Sequence, residues 1–175
     1  WCGPCRMVAP VLDQIAADIV ANNVCPDLAE SANNLVFGSG NPDADLLFVG
    51  EAPGKQEDDQ GTPFVGFSGK FLDKLLSSIH LTRDQVYITN LVKYRPPENR
   101  DPTRIEKQEF TSYLLRQIEV IGPKIIITLG YHSGVQFLPE LKMSSEHGKP
   151  KKVNLKLENR AVQTVVLPLY HPATA

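Results

Sequence analysis

The chain has 175 residues, of which 42% are hydrophobic and 22% charged, with a formal net charge of −2. Those values fit one folded domain with a full core and exclude a disordered chain, while the weak charge neither demands nor forbids a nucleic-acid partner. No apolar run nears the ~20 residues of a membrane span, the N-terminus lacks a signal-peptide pattern, and three cysteines make no disulfide framework; the expectation is a cytoplasmic monomer with no membrane association.

The first element opens on WCGPC, Trp1 to Cys5, followed by a stretch in which Val8, Val11, Leu12, Ile15 and Ile19 share one helical face. A Cys-x-x-Cys pair does redox chemistry when its first sulfur caps a helix, where the dipole lowers the thiol pKa, so Cys2 and Cys5 are redox candidates. LLFVG, Leu46 to Gly50, predicts a short strand entering a Gly/Pro loop. KFLDKLLSSI predicts a helix, with Phe71, Leu72, Leu75, Leu76 and Ile79 on one face. VYITNLVKY, Val86 to Tyr94, predicts a second strand, and RPPENRDP a Pro-rich loop. The helix after that loop should start near Pro102 to Thr103, with Asp101 or Thr103 as its cap, and bury Phe110, Leu114, Ile118 and Ile121. KIIITLG, Lys124 to Gly130, is apolar on both faces, as a central parallel strand requires. A short helix in HSGVQFL follows, then a Lys-rich exposed stretch with room for an edge hairpin. TVVLPLY, Thr164 to Tyr170, is the last strand. This alternation predicts an α/β fold, a three-layer αβα sandwich around a four-stranded parallel sheet. The chain begins with Trp and stops at HPATA just after a strand, so both ends read as cut, with the larger unit truncated at its C-terminus.

In open α/β sheets the ligand site lies at the carboxyl ends of the strands. Gly50, Glu51 and the APG turn fall there, as do Thr89, Asn90, Lys93, Gly130 and His171. One acid, one amide, one imidazole and a tight glycine turn should therefore converge on one crevice. Phe64 lies far enough along the first loop to fold back over the turn, and a flat ring over a polar turn suits a nucleobase.

GEAPGKQED, GTPFVGFSGKFLDKLL, TNLVKYRPPENRDP and the final HPA together resemble the family 4 uracil-DNA glycosylases, repair enzymes that usually carry an iron-sulfur cluster. The resemblance runs from about Leu12 to the last residue. It implies that fold, uracil-containing DNA as partner, and hydrolysis of the N-glycosidic bond to leave an abasic site. By resemblance Glu51 and His171 are catalytic: His171 donates to uracil O2, and Glu51 stabilises the sugar cation or orients water. Asn90 reads the edge that distinguishes uracil from cytosine, Phe64 stacks on the base, and Gly50, Ala52, Gly54 and Gln56 complete the uracil pocket. Lys93, Arg95, Arg100 and Arg104 are candidates for DNA-backbone contacts, with a solvated face as the alternative. Glu57 and Asp58 read first as loop structure.

The family's four cluster cysteines correspond here to Asn22, Cys25, Tyr94 and Phe110, so one ligand of the set is present. A thiolate cluster needs its cysteines; the expectation is no cofactor and no metal, with Tyr94 and Phe110 packing in its place. The family also continues beyond HPA with an apolar wedge that fills the gap left by the flipped base. WCGPCRMVAPVLDQIA separately resembles the thioredoxin active-site loop and its helix. Residues 1–20 therefore read as a thioredoxin-like segment and 21–175 as the glycosylase-like domain. Two alternatives stand beside the glycosylase: a catalytically impaired uracil- and DNA-binding relic of the fold, and a thiol-disulfide oxidoreductase.

Overall fold

The computed structural model describes residues 5–174, with side chains from Met7 onward. Helix α1 (Cys5–Ala21) leads through α2 (Pro26–Ser31) and a two-residue strand β1 (Ser39–Gly40) to β2 (Leu46–Gly50). Short α3 (Lys55–Gln60) and α4 (Phe67–Ser78) precede β3 (Tyr87–Asn90). After the Pro-rich loop come α5 (Arg104–Ile121), β4 (Ile125–Leu129), α6 (Tyr131–Phe137) and α7 (Met143–Glu146), then the strands β5 (Lys151–Lys156) and β6 (Ala161–Leu169). Cys2 lies outside the described residues, and Cys5 enters only as the backbone that begins α1.

The sheet has six strands in the order β1-β3-β2-β4-β6-β5. Its centre, β3-β2-β4-β6, is the expected four-stranded parallel unit. The edges add β1, antiparallel to β3, and β5, antiparallel to β6. Sequence pattern misses β1 because two residues carry no periodicity. The Lys-rich stretch does form the edge hairpin, and its lysines keep that edge solvated.

Side chains alternate across the strands, and each face has its own cover. Leu47, Val49, Ile126 and Val166 pack with Phe110, Leu114 and Ile118 of α5. Leu12, Ile15 and Ile19 of α1 join that same core, and Arg116 clamps the pair by donating to Asp18 at 2.7 Å. On the other face Phe48, Ile88, Ile127 and Leu129 meet Leu72 and Leu76 of α4. Leu75 and Ile79, on the same predicted helix face, are 40% and 59% exposed and border an apolar groove of about 300 Å³ over β4 and β6.

Helix α5 starts where its cap residues dictate. Thr103 Oγ1 accepts from the Glu106 amide at 3.2 Å while the Glu106 carboxylate accepts from the Thr103 amide at 2.6 Å, a reciprocal capping box. Gly122, at φ 63, ends it in the left-handed conformation that a side chain would strain. No helix among the described residues is long and apolar enough to cross a membrane.

Candidate active site

Parallel register places Gly50 directly opposite Asn90 at the carboxyl ends of β2 and β3. A Cβ on Gly50 would lie 2.3 Å from Asn90 Oδ1 and 2.6 Å from Phe64 Cζ, so only glycine lets amide and ring approach each other. The two side chains line a cavity of about 450 Å³ with Ala52, Gly54, Gly66 and His171. Asn90 is 1% exposed, and neither Oδ1 nor Nδ2 has a hydrogen-bond partner among the described residues. Buried amides are almost always paired, so an unpaired one facing a cavity marks a ligand-directed group.

His171 follows β6 and shares the cavity with Phe64, their ring centroids 6.2 Å apart. Gly130, at φ 103, leaves room for it: a Cβ there would lie 3.3 Å from His171 Cβ. The Ala173 amide donates to His171 Nδ1 at 3.1 Å. Nδ1 is thus an acceptor, and in the neutral ring the proton sits on Nε2. Burial holds the imidazole below its ordinary pKa, outweighing the Glu51 carboxylate, which pulls the other way. A neutral ring with Nε2–H as donor is the form this environment selects.

Glu51 lines a smaller cavity of about 130 Å³, which shares Ala52, Gly54, Asn99 and His171 with the larger one. Its Oε1 lies 3.0 Å from Lys107 Nζ and 3.8 Å from His132 Nδ1. Sequence reading misses both partners, because they come from α5 and α6. Ligand atoms of Glu51, Asp101 and His132 fall within 4.8 Å of one another, and Lys107 Nζ, 3.3 Å from His132 Nδ1, already brings positive charge to that group.

Lys93 requires correction. It is fully buried, and its Nζ donates to Thr89 Oγ1 at 2.7 Å, the Asn90 carbonyl at 2.7 Å and Gln117 Oε1 at 2.5 Å. Burial pushes its pKa well below the lysine range, and the three acceptors keep its buried nitrogen paired. It therefore supports the strand end that carries Asn90 and does not reach a phosphate. Arg95 instead holds Asn99 at the cavity wall, Nε to Oδ1 at 2.8 Å, and Arg100 is paired with Glu106 at 2.6 and 2.9 Å. Arg104 opens α5 in an exposed position. Gln56 is exposed, its Oε1 beside Gly66 at the cavity edge. Glu57 and Asp58 act structurally as expected: Glu57 accepts from the Val65 and Gly66 amides at 2.9 and 2.8 Å, and Asp58 from the Asn33 and Asn34 amides at 2.9 and 3.1 Å. Phe67, 78% exposed on the rim, does not stand out in the sequence, where an apolar residue at a helix start looks like core.

Residues 37–175 match the Uracil DNA glycosylase superfamily. The chain belongs to that superfamily. A "Type-4 uracil-DNA glycosylase" of Sulfurisphaera tokodaii is 44% identical over 168 residues, 94% of this chain and 75% of the relative. A second, from Archaeoglobus fulgidus, is 44% identical over 93% of this chain and 81% of its own length. A separate likeness covers 25 residues, 14% of this chain and 14% of the relative, at 60% identity to "Thioredoxin M-type, chloroplastic" of Triticum aestivum.

In this glycosylase the four cluster positions do not fit a thiolate site. Tyr94 and Phe110 are buried and packed edge to face with centroids 5.9 Å apart. Asn22 Nδ2 donates to the Tyr113 hydroxyl at 3.0 Å. Cys25 Sγ donates to Glu109 Oε2 at 3.1 Å, and burial together with that carboxylate raises its pKa. A thiol held protonated beside an acid is the reverse of a metal-binding thiolate.

Proposed function

We propose that this protein hydrolyses the bond between C1′ of an extruded deoxyuridine and N1 of its base in DNA, releasing uracil and leaving an abasic site. The observation that carries the reading is Asn90, a buried amide whose two polar atoms are unpaired and face a cavity of about 450 Å³ beside Phe64. Uracil N3–H donates to an amide oxygen and uracil O4 accepts from an amide nitrogen, whereas cytosine presents the opposite pattern. A base inside a duplex cannot reach this cavity, so the nucleotide must swing out at a cost of a few kcal/mol. Stacking on Phe64 offsets about 1–3 kcal/mol of that.

As the glycosidic bond breaks, its electron pair moves to uracil and the sugar becomes cationic. The Nε2–H of His171 donates to O2 and stabilises the departing anion without having to lose its own proton. Glu51, in the adjoining cavity, stabilises the sugar cation and orients the water that adds at C1′, and the proton this water gives up ends on the departed uracil anion. Lys107 Nζ, 3.0 Å away, pairs with the Glu51 carboxylate, and His132 lies beside it at 3.8 Å. We further propose that residues 21–175 form the catalytic unit, that α1 serves it as a packing helix, and that the aromatic pair Tyr94 and Phe110 takes over the architectural role of an iron-sulfur cluster. Support for the last comes from the burial of both rings and the protonated Cys25 beside them.

The test is incubation with a single-stranded oligonucleotide holding one uracil, followed by hot alkali. Cleavage at the uracil by the protein, and none by Asn90→Ala or His171→Ala, supports the reading. Retention of the oligonucleotide with no release of base by the unaltered protein replaces it with a DNA-binding relic of the fold.

A further inference from the structure

Phe64 carries the stacking ring on an unusual backbone. Its φ is 54, the left-handed region, which a bulky residue adopts only when its surroundings enforce it. Its carbonyl lies so close to the first turn of α4 that a Cβ on Gly69 would sit 1.8 Å from the carbonyl oxygen. What enforces this geometry comes from a different part of the chain.

Arg83 opens the 3-10 turn Arg83–Gln85 that leads into β3, a turn closed by its own Thr82 and Gln85 hydrogen bond of 2.9 Å. Its guanidinium reaches back across the start of α4. Nη1 donates to the Pro63 carbonyl at 3.1 Å, and Nη2 donates to the carbonyls of Phe64 and, at 3.4 Å, Gly69. Nε is tied to Asp73 Oδ1 of α4 at 2.5 Å. One planar fork thus holds the consecutive carbonyls of Pro63 and Phe64 together with the helix behind them. A lysine, with a single ammonium, cannot reproduce that spread of donors. Arg83 does not line the cavity.

We propose that Arg83 is a positioning residue for base recognition: by clamping the Pro63, Phe64 and Gly69 carbonyls it keeps Phe64 in its left-handed conformation and so sets the plane of the ring against the extruded base. The proposal rests on the uracil reading of the cavity. It makes Arg83 act through Phe64, and so predicts that the two residues are coupled in catalysis.

The experiment is a double-mutant cycle on kcat/KM for a single-stranded uracil oligonucleotide, using Arg83→Met, Phe64→Ala and the pair, with melting temperatures measured alongside. Arg83→Met should lower kcat/KM by about 10-fold to 100-fold, the range of one lost base–aromatic stack. Added to Phe64→Ala, it should lower kcat/KM by less than about 2-fold, because the ring it positions is gone. Arg83→Lys should restore only part of the loss. Equal losses in both backgrounds, or no loss in the single variant, overturn the proposal. If Arg83→Met does not fold, Asp73→Ala takes its place in the cycle, since it releases Nε from α4 and the same coupling is required. Asn90→Ala separates the two levels: if the unaltered protein releases uracil and Asn90→Ala does not, the uracil reading stands, and an additive cycle counts against Arg83 alone.

Discussion

Replacing Asn90 by alanine should cripple activity while leaving the fold as stable as before, or more so. Deleting a buried polar side chain ordinarily costs stability because its partners are left unpaired. Asn90 has no such partners: both amide atoms lack a hydrogen bond among the described residues, and burying an unpaired polar group itself costs about 1–3 kcal/mol. The side chain borders a cavity of about 450 Å³, so its removal enlarges an existing space instead of creating a closed void, and the cavity penalty is small. Set against the lost packing of a short side chain, the net change should fall between zero and a gain of about 2 kcal/mol, a rise in Tm of up to about 8 °C for a chain of this size. Loss of both directional contacts to the base should lower kcat/KM by about 100-fold to 10,000-fold. Calorimetry gives the first number, and single-turnover release of uracil from a labelled oligonucleotide followed by alkali gives the second. A fall in Tm of more than about 4 °C would refute the reasoning, because it would mean that the amide is structurally paired.

Gly50→Ala places a methyl 2.3 Å from Asn90 Oδ1 and 2.6 Å from Phe64 Cζ, so kcat/KM should fall about 10-fold to 100-fold while overpacking lowers Tm by about 2–12 °C; unchanged kinetics would separate Gly50 from the pocket. For His171, burial lowers the folded-state pKa beneath the unfolded value of about 6.5, so activity that needs the neutral ring should hold down to about pH 6.5 and decline below the lowered pKa. The same sign applies to stability: the unfolded chain takes up the proton first, so His171 makes the folded state lose stability as pH falls below about 6.5, and a plot of Tm against pH should flatten there in His171→Ala. Asp58→Ala leaves the Asn33 and Asn34 amides without their acceptor and should cost about 2–3 kcal/mol, read as a fall in Tm of about 5–10 °C. At temperatures well below that Tm its kcat/KM should stay within about 2-fold of the unaltered protein, since Asp58 faces the Asn33 loop and not the cavity.

Local structure is legible in the sequence where the signal itself is local. The bounds of LLFVG are those of β2, and Thr103 caps α5 through Glu106, because strand alternation and capping depend on residues within a few positions. Topology assigns Asn90 and His171 to one crevice, the length of the first loop brings Phe64 over it, and the three share a cavity. It assigns Glu51 there too, whereas Glu51 lies next door, in the smaller cavity that has His171 as a common wall. Lys93 misleads for a physical reason. A lysine after a strand looks solvated, and only the long-range approach of Gln117 and of Phe37, whose carbonyl engages Thr89, turns that spot into an interior. Lys107, His132 and Arg83 escape notice likewise, since each meets the site from an element whose own periodicity says nothing about it.

A protein fold is most legible where local preference, burial and polar pairing agree, and the residues around this cavity are where they disagree. Phe64 sits in a conformation its side chain disfavours, and Asn90 buries an amide without pairing it. Each departure carries a cost that some other part of the structure must sustain. Arg83 commits a guanidinium to the carbonyls around Phe64, and Lys93 places its buried nitrogen against the Asn90 carbonyl, beneath the strand end whose side chain stays unpaired. Two basic side chains committed to backbone oxygens, one buried and one half-buried, add nothing to a surface that must attract DNA. Their placement is explained if the ring and the amide have to be held still before a base arrives, because a stacking plane or an amide that had to reorganise would lose part of its selectivity for uracil in ordering itself.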